Sequence, residues 1–259
     1  MSSEHLHHSA GDTASFLLAA LFCLALIFYI WASLYSSRFY KKWPVYRSVL
    51  WTGGIVCAIG AIAGPLAEKA HTHFTAHMAG HLLLGMLAPL LLVLSAPMTL
   101  LFRTLRTGSA RLLVGILKSG PVRFIGDPAT AAVFNIGGLW LLYTTGLYAA
   151  MHQNLFLYLL IHLHVFLAGC LFTASILYID PVPHRRTFQY RAAVLVFALA
   201  GHGILSKYLY AHPPRHVSAS QAETGSMLMY YGGDAIDLVL ITIFCFQWYK
   251  AARPRSVPV

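Results

Sequence analysis

Apolar residues along this chain fall in unbroken blocks rather than in stripes. The blocks lie at 14–35, 46–64, 77–101, 128–148, 156–178, 189–210 and 224–249. Each is close to the roughly 20 residues that a helix needs to cross a hydrocarbon core at about 1.5 Å per residue. In lipid a backbone must satisfy its own hydrogen bonds, and blocks of this length do so as helices, not as the alternating strands of about ten residues that build a barrel. The pattern predicts an all-α integral membrane protein: a bundle of seven transmembrane helices over 14–250, with a polar tail at 1–13 and a basic tail at 251–259. No Arg or Lys precedes the first block, so it is expected to be a mature span and not a cleaved signal peptide.

Composition agrees with the pattern. The 259 residues are 58% hydrophobic and only 10% charged, where a soluble domain carries about a quarter charged residues. Charge then orients the bundle. Fifteen of the 18 Lys and Arg residues fall at one set of span ends; Lys69, Lys207 and Arg215 stand at the other. Basic ends face the cytoplasm, which puts the N-terminus outside and the C-terminus inside. The net charge of +10 is accounted for by this topology and by anionic lipid, and needs no nucleic-acid partner. Cys23, Cys57, Cys170 and Cys245 all lie within predicted spans with no CxxC pair, so no disulfide framework is expected. In GDPAT, Asp127 and Pro128 fit the N-cap and first position of the fourth span. Gly60 and Gly64 read as a small-residue packing pair on the second.

With that topology, thirteen of the 14 histidines fall on the outer side or in the outer part of a span; His184 alone is cytoplasmic. His5, His7 and His8 sit in the N-terminal tail, His71, His73, His152, His212 and His216 in outer loops. His77 and His81 are four apart, so they share a helix face and can hold one ion between them. His162 and His164 are two apart, about 200° around a helix, so one of them at most faces a common centre. His162 or His164 together with His202 would complete a ring at matching depth. Cys57, Met227 and Met229 are candidate soft ligands, which would tilt a mixed site toward Cu(I). The competing reading is a polar collar of hydrogen-bonded histidines. In MLMYYGGDAID, Asp234 and Asp237 are three apart on one face, a possible proton or ion site, beside a Gly232–Gly233 pair expected to loosen the helix.

The segment HMAGHLLLGMLAPLLLVLSAP at 77–97 resembles the HM-x-x-H-LLL…APLL…L-x-AP segment of the CtaG-like cytochrome c oxidase assembly factors. HLHVFLAGCLFTASILYIDPVPHR at 162–185 and QAETGSMLMYYGGDAIDLVL at 221–240 support the resemblance, which runs from about residue 40 to 250. It implies a multi-pass protein of the bacterial cytoplasmic membrane that assembles haem–copper oxidases and handles copper. His77 and His81 carry over as its main functional positions, followed by His162 and Asp180. No Cys-x-Cys or Met-rich tail of the copper-chaperone kind accompanies them. Three functions are then in play. One is a non-enzymatic assembly factor that binds copper on the outer side and passes it to oxidase subunits. Another is a b-type haem electron-transfer protein, with axial ligands among His81, His162, His164 and His202. The third is a proton-coupled transporter using Asp234 and Asp237. No nucleophile–base arrangement, phosphate loop or HExxH motif suggests an enzyme.

Overall fold

In the computed structural model, which describes residues 3–151 and 153–253, the chain is a helical bundle with no strand among the described residues. Among the described residues, six helices are long and apolar enough to cross a membrane. They are α1 (Ser3–Phe39, apolar from Phe16), α2 (Val45–Ile62), α4 (Phe74–Leu94), α10 (Leu155–Leu177), α11 (Phe188–Ala211) and α12 (Ala219–Ala252). Residues 3–13, expected as a tail, continue α1. His152 and residues 254–259 lie outside the described residues, as do the side chains of His5, His7 and His8.

The fourth apolar block is the exception. Its helix α8 covers 128–144, seventeen residues, and after a break at Thr145 the chain makes the short α9 (Leu147–Met151). Although short, α8 runs antiparallel to α10 along most of its length. Asp127 at its start pairs with Arg186, in the loop between α10 and α11, at 2.6 Å. Midway, the Phe134 carbonyl meets His164, and near its end Tyr143 meets His77.

The block expected at 77–101 is also divided. Pro97 disfavours a helical conformation in the residue before it, and Ala96 turns left-handed with φ 56°. Helix α4 therefore stops at Leu94 and α5 (Pro97–Thr104) starts afresh. Asp180, from the loop after α10, accepts hydrogen bonds from the Met98 and Thr99 amides and the Thr99 hydroxyl, at 3.1, 2.7 and 2.6 Å. It caps α5 from 81 residues away along the chain. Within α4 the turn Leu83–Leu87 widens to π geometry. Pro89 has no N–H to give the Gly85 carbonyl, so the ladder skips there. That carbonyl faces Gly169 of α10, where a Cβ would collide with it.

Among the described residues, two of four buried clusters frame the two ends of the bundle. One, at the histidine-rich end, contains Phe74, Met78, Tyr143, Leu205 and Met229. The other, toward the basic end, contains Leu90, Phe172, Leu195, Leu240 and Phe244. Arg191 is buried beside the second; it donates to the Ile176 carbonyl, and Tyr178 and Phe188 lie 4.2 and 4.3 Å from its guanidinium carbon. It thereby satisfies an end carbonyl of α10 that the helix itself leaves open. Large side chains such as Phe16, Leu24, Phe197 and Leu238 point outward, as lipid-facing residues do.

The Gly232–Gly233 pair does not loosen α12, which is continuous from Ala219 to Ala252. These glycines are windows: a Cβ at Gly232 would lie 2.5 Å from Leu82, and one at Gly233 would lie 2.6 Å from the His202 ring. Gly60, by contrast, faces nothing within 4 Å and Gly64 takes φ 84° in a turn, so this pair is no packing motif.

Candidate functional site

Helix α4 enters the bundle at His73 and carries its histidines inward. One turn separates His77 from His81, and the two line a cavity of about 40 Å³ with His71, His162, Tyr143 and Tyr158. His77 Nε2 lies 2.9 Å from the Tyr143 hydroxyl, and its ring meets Tyr148 edge-on at 5.0 Å. His162 donates from Nδ1 to the Tyr158 carbonyl one turn back, at 2.8 Å, and its ring lies against Tyr158. This outer cavity is walled mainly by α4, α8 and α10, with α2, α3 (Pro65–Ala70) and α9 closing it.

A second cavity of about 30 Å³ lies deeper, lined by His81, His202, Asp237, Asn135 and Thr173 among others. His81 borders both cavities. Its ring and that of His202 are nearly parallel, 29° apart, with centroids separated by 6.2 Å. Both side chains are buried, and the Nε2 atom of each has no hydrogen-bond partner among the described residues. A buried polar atom left unpaired costs about 1–3 kcal/mol. The glycine at position 233 makes room for His202, and Gly85 lies against the His81 ring.

Other residues singled out from the sequence are placed elsewhere. His164 is exposed and turned toward α8, with Nε2 3.1 Å from the Phe134 carbonyl; the two-residue offset from His162 sends it to the opposite side of α10. That contact falls in a second π turn, Val133–Gly137, and supplies a donor where the helix ladder is widened. His73 caps no metal-facing row: it is exposed and paired with Thr72. Cys57 packs against the Phe22–Ile55–Leu84 cluster, Met227 is exposed, and Met229 is fully buried in the core around Phe74 without lining either cavity. The edge of the buried face falls between Asp234 and Asp237: Asp237 is buried in the inner cavity and Asp234 is exposed. Among the described residues, no three His, Cys, Asp or Glu side chains are grouped to hold a metal. The five candidate histidines thus resolve into His77 and His162 at the outer cavity, a buried His81–His202 pair, and a separate His164.

The sequence reading missed Tyr143, Tyr158 and Asn135 as lining residues. Each is one more polar residue in an apolar block, and only the pairing of helices brings it to a histidine.

A model of the cytochrome c oxidase caa3 assembly factor family matches residues 26–251, nearly the whole described bundle. The chain belongs to this family. Related uncharacterized proteins occur in Mycobacterium leprae, 28% identical over 169 residues, and Mycobacterium bovis, 29% identical over 169 residues. In each case the match covers 62% of this chain and 26% of the relative, so the chain spans about a quarter of the length of these larger proteins. No solved structure matches. Within this assembly-factor family member, the HMAGHLLLGMLAP stretch has a physical reading. Its two histidines line the cavities, and its Gly and Pro create the π turn directly below them. Asp180 in the IDP stretch is a helix cap far from the histidines.

Proposed function

We propose that this protein is a non-enzymatic assembly factor for a haem–copper cytochrome c oxidase, and that it carries Cu(I) as cargo on the outer side of the bacterial cytoplasmic membrane. The observation that carries the reading is the pair of buried, unpartnered Nε2 atoms on His81 and His202, two residues that line one cavity of ionic size. Imidazole is a ligand for copper, zinc, iron and nickel. Zinc in structural sites takes four ligands, whereas a d¹⁰ Cu(I) ion is content with two, which is the number of orphaned nitrogens here. Such an under-coordinated ion is also easy to pass on by ligand exchange.

In this reading His71, His77 and His162 receive the ion at the outer cavity, and His81, common to both cavities, passes it to His202. Asp237 faces the inner cavity and offsets the cargo's charge. Release to an oxidase subunit reverses the path. Seven crossings, with the short α8 counted as the fourth, put the histidine end outside and the basic end in the cytoplasm, as the charge bias requires. A haem between these histidines is disfavoured by volume, since cavities of about 40 and 30 Å³ hold an ion or a water and not a macrocycle. A carboxylate relay through Asp234 and Asp237 loses its basis once the two side chains diverge.

The test is metal analysis of protein purified after copper loading under reducing conditions. Wild type is expected to retain about one copper per chain, His81→Ala and His202→Ala to lose it, and His164→Ala to keep it. Full retention in both of the first two variants would overturn the site.

A further inference from the structure

A cavity of about 830 Å³ lies at the other end of the bundle and has no part in the histidine site. Its inner walls are apolar, built by Leu92 of α4 and by Phe166, Leu167 and Leu171 of α10. Its mouth is polar and cationic, with Arg123, Arg185 and Arg186 around it. Two carboxylates also line it, but both are already engaged. Asp127 accepts from Arg186, from Tyr190 and from the Ala129 amide; Asp180 caps α5. Arg123 and Arg185 are exposed and have no acceptor among the described residues.

One side of the mouth is formed by α6 (Thr107–Leu117) and α7 (Gly120–Ile125), which contribute Leu117, Val122 and Arg123. Neither helix buries a single residue, and Leu112, Ile116, Phe124 and Ile125 are exposed. A short helix pair carrying basic residues and a bare apolar face, attached to a membrane bundle, lies in the lipid–water interface. That puts the cavity mouth at headgroup level and the apolar walls alongside the acyl chains.

We propose that this cavity is a binding site for one anionic phospholipid taken from the leaflet at the basic end. Arg123 and Arg185 hold its phosphodiester, and an acyl chain runs inward along Leu92, Phe166, Leu167 and Leu171. Charge complementarity selects the occupant. Two unpaired guanidinium groups at a mouth suit a phosphate, which they can bind with paired hydrogen bonds. A volume within the range of about 300–1,000 Å³ typical of small-molecule sites takes part of one amphiphile, not a helix of another protein. The lipid ties α6 and α7 to the bundle, which their own side chains do not.

The 259-residue protein in detergent tests this by native mass spectrometry, titrated with phosphatidylglycerol and with phosphatidylcholine of matched chains. Phosphatidylglycerol is expected to bind roughly tenfold more tightly. Arg123→Gln/Arg185→Gln should reduce it to the phosphatidylcholine level, Arg123→Lys/Arg185→Lys should keep most of the preference, and Lys250→Gln, outside the cavity, should keep all of it. Leu171→Trp, which fills the wall, should weaken both lipids. Glycerol 3-phosphate in excess should fail to displace the lipid. Equal binding of the two lipids by wild type, an undiminished preference in the Gln variant, or displacement by glycerol phosphate would each overturn the proposal.

Discussion

A buried imidazole nitrogen without a partner costs about 1–3 kcal/mol, and His81 and His202 bring two of them to one small cavity. Replacing both partners of a polar site by apolar groups of similar size removes that cost. The double variant His81→Leu/His202→Leu should therefore melt no earlier than the metal-free wild type while losing copper-dependent stabilisation. A collar of structural histidines would give the reverse, with early melting. Thermal unfolding with and without Cu(I) separates the two. Asp127 offers a contrasting case at the basic end. Its partial burial pushes its pKa up, but the hydrogen bonds from Tyr190, the Ala129 amide and Arg186 outweigh this and hold it below the usual carboxylate range. With the folded-state pKa depressed, its contribution is complete above the ordinary Asp value and is lost as pH falls through the lower folded value. Wild type should lose stability by this route as pH falls below the ordinary Asp value, and Asp127→Asn should show a shallower acid limb in a melting-temperature titration.

Helices here were legible wherever composition alone decides them and obscure wherever a neighbour decides. The blocks at 46–64, 156–178 and 189–210 reappear as α2, α10 and α11 within a few residues, because an apolar run of that length has one solution in lipid. The fresh start of α5 at Pro97 is capped by Asp180, which is distant in sequence, and the function of Gly233 depends on His202 of another helix. Spacing singled out His77 and His81 but could not divide their roles, since helix pairing alone shows that His81 alone of the two borders the inner cavity. Glycines test this directly. Gly233→Val places side-chain atoms where the His202 ring stands, and overpacking of that kind costs about 1–3 kcal/mol. It should reduce copper retention along with stability. Gly60→Ala, with nothing within 4 Å, should instead stabilise by about 0.5–1 kcal/mol through helix propensity. Equal melting temperatures for the two variants would contradict the window assigned to Gly233.

Whole-molecule topology rests on α8, because its seventeen residues determine on which side everything after it lies. If α8 crosses, the loop before it and the loop after α10 share a face; if it does not, α10 to α12 are inverted and the two loops are opposed. The ion pair between Asp127 and Arg186 at 2.6 Å joins those loops at one end of the bundle. The contact between Tyr143 and His77 puts the far end of α8 at the other. A helix this short covers about 25 Å at 1.5 Å per residue, a few ångströms less than a hydrocarbon core of about 30 Å, and a crossing by α8 would need a local thinning of the bilayer or the neighbouring α9 to make up the difference. Single cysteines introduced after replacement of Cys23, Cys57, Cys170 and Cys245 decide the matter in intact cells. A membrane-impermeant thiol reagent should label Thr72→Cys and Gln153→Cys directly, and label Thr107→Cys and Arg185→Cys only after permeabilisation. Labelling of Arg185→Cys in intact cells together with protection of Thr107→Cys would mean that α8 turns back. His77 and His202 would then stand at opposite membrane faces, and the path from outer to inner cavity would be lost with the seventh crossing.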